Sequence, residues 1–448
     1  MEKIIVIGAN HAGTHSILTL VDNYAEKVQV TVYDRNSNIS FLGCGMALWI
    51  ANVISGSDGL FYASPELLQS KGANVFMEHE LQSVDFDKKK VKVKNLKTGE
   101  YFEDEYDKLI LGVGSWPILP SIKGIDLENV LYAKIFQNAQ TVIEKLKDPA
   151  IKRIAVVGAG YIGVELVEAF RKQGKEIVLI NDQNVLNNYY DAEFQEMMRK
   201  KLEENGVQLA LHEMVTEIKG INGKVSSVVT DKNEYQADMV LMSVGFRPNT
   251  DLFRLTKLKM DARGAILVDN QQQTNIKDVY AIGDCCEIFN NATQDNSYIA
   301  LATNAVRTGI VAGHNVGGTP VKMQGVQGSN AIHIYDLTMC STGITEEVAK
   351  NMGMDVGSVT VNELIRPAFM PTNNEVTLKV VWDRKSRRIL GAQMASKEDI
   401  TLALHMFSLA IQEKFSIDKL ALTDLFFLPH FNQPANFITK AGLLALGK

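Results

Sequence analysis

Cysteine is scarce in this chain, with four residues (Cys44, Cys285, Cys286 and Cys340) among 448. So few thiols in so long a chain do not make a disulfide framework. No Cys-x-x-Cys, His-Glu-x-x-His or Cys/His cluster marks a metal site. Basic charge is not in excess either. Lys and Arg total 46 against 52 Asp and Glu, a formal net charge of −6, which speaks against a nucleic-acid surface. Long apolar runs are missing, and none approaches the roughly 20 residues a bilayer span needs. The opening "MEKIIVIGAN" runs into a strand pattern, not into a secretory leader. These absences set the expectation of a cytoplasmic protein with neither nucleic acid nor membrane as partner. What is abundant is core-forming material. Hydrophobic residues make up 46% of a length too great for one core, so two or three domains are expected.

The strongest internal signal is a duplication. "KIIVIGANHAG" (Lys3 to Gly13) is echoed by "RIAVVGAGYIG" (Arg153 to Gly163). Each is a short β-branched run, then a glycine-rich turn, then an amphipathic helix pattern. Each is followed by a second strand, "VQVTVYD" ending at Asp34 and "EIVLIND" ending at Asp182. This is the start of two βαβ units and hence of an α/β fold. A second echo, "YDKLILGVGS" against "ADMVLMSVGF", supports two related nucleotide-binding units interleaved along the chain. "TNIKDVYAIGDC" reads as a further strand ending at Gly283-Asp284, and the run from Tyr298 to Val316 has helical periodicity. From about Gln324 the pattern changes. "EVTLKVVWD" and "RILGAQMAS" read as antiparallel strands and "TLALHMFSLAIQ" as a helix, which makes a separate α+β domain.

The chemistry of the two turns is the same. Glycines let backbone approach a pyrophosphate, the helix N-terminus offers it free N–H groups, and an acid closing the second strand binds ribose hydroxyls. The second turn, Gly158-x-Gly160-x-x-Gly163, is complete. The first is Gly8-x-Asn10-x-x-Gly13, and Asp34 follows Gly13 by 21 residues. Asn181 stands where an acid is expected in the second unit, with Asp182 beside it. Asparagine repels a 2′-phosphate less than aspartate does, but Asp182 can repel it and no Arg follows to welcome it. NADH is therefore expected over NADPH.

Two dinucleotide sites on one chain suggest a flavin and a nicotinamide cofactor. The segments "GANHAGT", "NISFLGCGMALWI", "GLFYASPELL", "VGAGYIGVELVEAF", "VGFRPNT", "VYAIGDC", "IALATNAVRTG" and "LALTDLFFLPHFNQP" closely resemble the water-forming NADH oxidases. More broadly they resemble the NADH oxidase, NADH peroxidase and coenzyme A-disulfide reductase group of flavoprotein disulfide reductases, over essentially the whole chain. The resemblance implies two Rossmann-like domains and a C-terminal dimerisation domain. It assigns residues 1–120 with 250–323 to FAD, 121–249 to NADH and 324–448 to dimerisation, as a homodimer or a dimer of dimers. It implies that FAD is held by Gly8, Asn10, Gly13, Asp34, Lys134, Asp284 and Ala300-Leu301-Ala302. NADH falls to Gly160, Tyr161, Ile162, Gly163, Tyr189 and Gly245, with Asn181 and Asp182 at its ribose. Tyr161 looks like the side chain covering the flavin, and Glu165 like the acid beside the nicotinamide. Phe427 would reach toward the partner's flavin site.

Cys44 alone can be a core residue, half of a bridge or a reagent. Relatives with two thiols use Cys-x-x-x-x-Cys, but here the position five beyond Cys44 is Trp49, so a bridge needs a distant partner. Against a flavin a single thiol has another course, oxidation to a sulfenic acid. That course needs a low thiolate pKa, for which helix N-terminal dipoles are the expected source. His11 is not required by the phosphate-binding turn. The resemblance places it over the flavin beside the cysteine as a general acid/base, and it argues against coenzyme A-disulfide reductase activity. Cys285-Cys286 reads as a structural pair, Cys340 lacks context, and His430 in "LPHF" can face a partner's site. The implied activity is reduction of dioxygen to water by NADH through FAD, with Cys44 cycling between thiolate and sulfenic acid and His11 assisting. The alternative is an NADH peroxidase that uses the same residues but starts from hydrogen peroxide.

Overall fold

The structure, a computed structural model, describes residues 1–447. Its α/β fold is the one expected, with two parallel sheets and a C-terminal antiparallel one. In the first sheet the strand order is Val279–Ala281, Lys108–Leu111, Glu2–Ile7, Val28–Asp34, Asn74–Met77, all parallel. In the second it is Gln208–Leu211, Glu176–Asn181, Arg153–Val157, Met239–Met242, Val130–Tyr132, again all parallel. Both sheets place the strand leading into a glycine-rich turn at the centre, flanked by the same two kinds of neighbour. The echoes in the sequence are therefore echoes in topology. Strands buried on both faces need continuous apolar runs, and Ile4, Val6, Val156 and Leu179 are inaccessible to solvent. Each such side chain contributes about 1.5–3 kcal/mol by burial.

The helices that follow the turns are His11–Tyr24 and Tyr161–Lys172. The late helix Ala302–Val316 returns to lie on the first of them. It comes close because it carries glycine at the contact. A Cβ at Gly309 would stand 2.2 Å from the Ala12 carbonyl oxygen, and one at Gly313 would stand 2.8 Å from the Thr19 Cβ. That approach puts the N-terminal end of the late helix beside the first turn. The strand that begins at Val279 is shorter than the sequence pattern suggests. It ends at Ala281, and Gly283–Cys285 forms a single turn of tighter helix.

The third sheet runs Asn330–Ile334, Leu337–Gly343, Ile389–Ser396, Glu375–Asp383, Val356–Leu364, wholly antiparallel. Helix Thr401–Gln412 packs on it, coinciding with the predicted helical run. A buried ion cluster ties this sheet to the second unit. Lys379 lies 3.1 Å from Asp191, 2.9 Å from Glu193 and 2.9 Å from Glu346. Gln393 closes the cluster, donating to Asp191 at 2.7 Å and accepting from its backbone N–H at 2.6 Å. Among the described residues no helix is long and apolar enough to cross a membrane.

Candidate active site

The C-terminal ends of both parallel sheets open on one cavity of about 1470 Å³. Ligand pockets usually measure about 300–1,000 Å³, so this one has room for more than a single small molecule. It lies where crevice binding is expected in open α/β sheets.

The first turn is built on a glycine with left-handed backbone, Gly8 at φ 89°, packed so tightly that a Cβ would stand 2.3 Å from the Gly112 carbonyl oxygen. Asn10 forms the extended N-cap of the following helix and makes no side-chain cap, so the first N–H groups of the helix stay open to the crevice. Asp34 is buried and takes the Ala9 N–H on one oxygen at 2.7 Å and the Asn36 N–H on the other at 2.8 Å. Deeper in, the hydroxyl of Ser115 donates to Asp284 at 2.9 Å and the ammonium of Lys134 donates to Ser115 at 2.9 Å. Lys134 also faces Asp284 at 3.4 Å and lies over the ring of Phe246. Ala300, Leu301 and Ala302 line the same wall from the start of the late helix.

The second turn repeats the construction. Gly158 has φ 103°, and a Cβ there would stand 2.4 Å from the Ser243 carbonyl oxygen. Around Gly160, by contrast, a Cβ would meet no atom within 4 Å. Asn181 accepts the Ala159 N–H at 3.1 Å and donates to the Asn184 carbonyl at 3.1 Å, while Asp182 is exposed on the crevice rim. Open N–H groups, a cradle empty of side chain and a ribose-binding group at the strand end are what a dinucleotide requires, so both turns fit one.

Tyr161 opens the helix after the second turn and lines the crevice. Its hydroxyl donates to the side-chain carbonyl of Asn330 and lies 2.9 Å from the hydroxyl of Tyr190, and its ring lies 4.4 Å from that of Tyr189. Glu165, one turn further along the helix, lines the crevice with Ile162 and Gly245. Burial and the nearby charge of Glu168 push its carboxyl up to about 7.

Cys44 sits in a single tight turn, Gly43–Gly45, and its side chain opens into the crevice. The expected lowering of its pKa is not what the chain provides. Burial and then the carboxylate of Glu165 push the thiol up, against the opposing pull of its own backbone N–H and of Lys134. The helix after it, Met46–Ile50, has only five residues, which gives little dipole to draw on. His11 faces the same crevice, and its Nδ1 lies 3.0 Å from the hydroxyl of Tyr62. Burial lowers its pKa, and His15 and Lys134 act the same way, while Asp284 opposes them.

Two expected residues lie off the crevice. Gly163 backs the second turn, where a Cβ would stand 2.0 Å from the Gly158 carbonyl oxygen. Phe427 is half exposed on the C-terminal domain and lines none of this chain's crevice. Cys285 and Cys286 are buried and point their sulfurs at backbone carbonyls, and Cys340 is buried within the third sheet. Trp49 stacks on Phe136, with ring centroids 5.6 Å apart. Tyr62, Ser115, Tyr190 and Asn330 went unremarked in the sequence. Ser115 and Asn330 line the crevice, while Tyr62 and Tyr190 touch His11 and Tyr161 from behind it, and no spacing rule announces these contacts.

The profile of the family described as pyridine nucleotide-disulphide oxidoreductase matches residues 2–309, and that of its dimerisation domain matches residues 330–435. The NADH oxidase of Streptococcus pyogenes serotype M6 is 54% identical to this chain over 456 residues, covering 99% of each. The NADH oxidase of Streptococcus pneumoniae serotype 4 is 52% identical over 461 residues, covering 99% of this chain and all of the other. Among solved structures, the water-forming NADH oxidase from Lactobacillus brevis bound to NADH superposes with a TM-score of 0.97 at 40% identity, covering 100% of this chain and 98% of the other. Two glycine-rich turns on one crevice, a lone thiol between them and these likenesses along the whole chain lead to one assignment: the protein belongs to the pyridine nucleotide-disulphide oxidoreductase family.

Proposed function

We propose that this oxidoreductase is a water-forming NADH oxidase, with FAD in the first glycine-rich turn, NADH in the second, and Cys44 as a thiol/sulfenic acid redox centre assisted by His11. Residues 1–120 with 250–323 hold FAD, 121–249 hold NADH, and 324–448 join two copies so that Phe427 nears the partner's site. One observation carries the reading: Cys44, His11 and Glu165 open into the crevice between the two turns, and no other cysteine among the described residues lines it. The NADH oxidases at 54% and 52% identity support it.

FAD held by Gly8, Asn10, Gly13 and Asp34 would supply the hydride acceptor for NADH and the route for electrons to dioxygen. The chain's own work is to position and to move protons. Gly160 and the open N–H groups of its helix take the pyrophosphate of NADH, while Glu165 and Tyr161 border its nicotinamide. Peroxide formed in the crevice meets the Cys44 sulfur, which attacks the distal oxygen. An S–O bond forms and the O–O bond breaks. The departing hydroxide takes the proton that the thiol gives up and leaves as water. His11 orients the oxygens and eases formation of the thiolate. A second NADH and a solvent proton return Cys–SOH to the thiol and release the second water. In total, two NADH, two protons and one dioxygen give two NAD⁺ and two waters.

The test is stoichiometry, with oxygen uptake and peroxide release followed during NADH oxidation. One dioxygen per two NADH without free peroxide is expected. Consumption of NADH only after peroxide is added would overturn the oxidase and identify a peroxidase.

A further inference from the structure

His11 is held from behind by a residue that does not reach the crevice. Tyr62 follows Leu60 on a segment pinned on both sides. Phe61 bridges to Phe41, and Ala63 is bound twice by the buried hydroxyl of Ser40, at 2.7 Å through its carbonyl and 2.9 Å through its N–H. The Tyr62 ring is thereby laid on the first helix. It stacks on His11 with centroids 5.8 Å apart and planes 6° from parallel, and it meets the ring of His15 at 5.6 Å. Its hydroxyl lies 3.0 Å from His11 Nδ1. Nδ1 is therefore engaged on the far side, and Nε2 is the ring nitrogen left for the crevice that His11 lines.

The protonation states narrow the choice. The charged and titratable groups that face His11 are His15 on its own helix, Asp284 and Lys134 across the crevice, and Tyr62. Burial keeps the imidazole neutral, and burial likewise pushes the Tyr62 phenol up to about 12, so its proton stays on. A neutral imidazole carries one proton on one nitrogen and a lone pair on the other. A phenol is a good donor and a poor acceptor, and an imidazole nitrogen is the reverse. The other acceptor within its reach is the Thr14 hydroxyl, which already gives its own proton to the Ala9 carbonyl at 2.6 Å and is far less basic than imidazole. The phenol proton therefore goes to Nδ1, and the ring proton stands on Nε2.

We propose that Tyr62 is the positioning residue that fixes His11 as its Nε2–H tautomer, so that the ring presents an N–H donor, not a lone pair, to the crevice beside Cys44. The inference rests on the assignment of Cys44 as the peroxide-reducing thiol. A donor there stabilises a thiolate and holds a peroxide oxygen in reach of the sulfur. A lone pair in its place would repel the thiolate.

The experiment uses the FAD-loaded enzyme carrying ¹⁵N-labelled histidine, with the His11 signals identified by their loss in His11→Gln. The expected wild-type spectrum has the proton on Nε2 and a bare Nδ1. Tyr62→Phe keeps the stacked ring and removes the hydroxyl, and in it the His11 nitrogens should move to a mixture of tautomers. The same variant should reduce peroxide between about twofold and tenfold more slowly, the effect of one hydrogen bond, with KM for NADH unchanged. A wild-type proton on Nδ1 overturns the proposal even if the variant fails to fold. So does a Tyr62→Phe enzyme with the wild-type tautomer. Release of peroxide by the wild-type enzyme would instead sink the oxidase reading, and the tautomer measurement reads His11 independently of it.

Discussion

Asn181 holds the backbone N–H of Ala159 as Asp34 holds that of Ala9, at 3.1 Å and 2.7 Å, but without the negative charge. The two units thus share a hydrogen-bond plan and differ in electrostatics. In Asn181→Asp the restored charge should lower kcat/KM for NADPH about tenfold relative to NADH, a change worth about 1.4 kcal/mol. The new carboxylate would also face the Asn184 carbonyl that Asn181 now donates to. Rates with both cofactors should therefore fall together by a further small factor. Steady-state kinetics with NADH and NADPH separate the two effects.

Glu165 raises the Cys44 thiol through its charge, second only to burial. Removing that charge in Glu165→Gln should let the thiol ionise at lower pH. The midpoint of Cys44 alkylation by iodoacetamide against pH measures it. In the unmodified protein the same carboxyl ionises near pH 7. The thiol should therefore be easier to ionise on the acid side of that value, and the alkylation profile should be broader than a single titration.

Replacing Cys44 by Ser removes the only thiol at the crevice among the described residues. NADH should still be oxidised, and the product should change from water to hydrogen peroxide, approaching one peroxide per NADH. If the variant still made only water, the sulfenic acid would have no role.

Gly163→Ala places a methyl 2.0 Å from the Gly158 carbonyl oxygen and 2.9 Å from Ser243 Oγ. The second turn must open while the first is untouched. The variant should purify yellow with FAD yet lose NADH binding by well over tenfold, checked by the NADH concentration needed to bleach the flavin.

Lys379 is the cation shared by Asp191, Glu193 and Glu346, the last of which also pairs with Lys350. In Lys379→Met, Asp191 and Glu193 would lose their cation and face Glu346, which keeps only the Lys350 cation, a loss of about 3–5 kcal/mol. A lower melting temperature of the FAD-loaded protein tests it. Glu346 also carries a pH signature. Burial raises its pKa, but Lys350, Lys379 and Ser358 outweigh that and hold it at about 2. Its stabilising contribution is then present above the ordinary carboxylate range and disappears as pH falls from about 4.5 through about 2.

Local patterns carried much of this molecule. The glycines, the β-branched runs and the spacing to Asp34 locate both turns because phosphate binding depends on adjacent residues. The runs Glu375–Asp383 and Thr401–Gln412 read correctly because a period of two or of 3.6 is a local property. Electrostatics were not legible. The thiol of Cys44 goes up because folding brings Glu165 and low-dielectric surroundings to it, neither of which is near it in sequence. Tyr62 touches His11 across 51 positions through a bridge between two phenylalanines. The Lys379 cluster assembles charges from three separate segments. Such contacts belong to tertiary packing and leave no periodic trace.

The interleaving of the two parallel sheets bears on how the chain is made. Strand Lys108–Leu111 is interior, yet its outer neighbour Val279–Ala281 and the covering helix Ala302–Val316 are synthesised much later. At about 5–20 residues per second, a ribosome needs about ten to forty seconds to reach them. Throughout that interval Leu109, Ile110 and Leu111, all fully buried at the end, form an open apolar edge on the nascent chain. The second sheet, whose strands all lie between Val130 and Met242, can close first. The unit built on the second parallel sheet is thus the first that can be finished, and the unit built on the first waits with an open apolar edge.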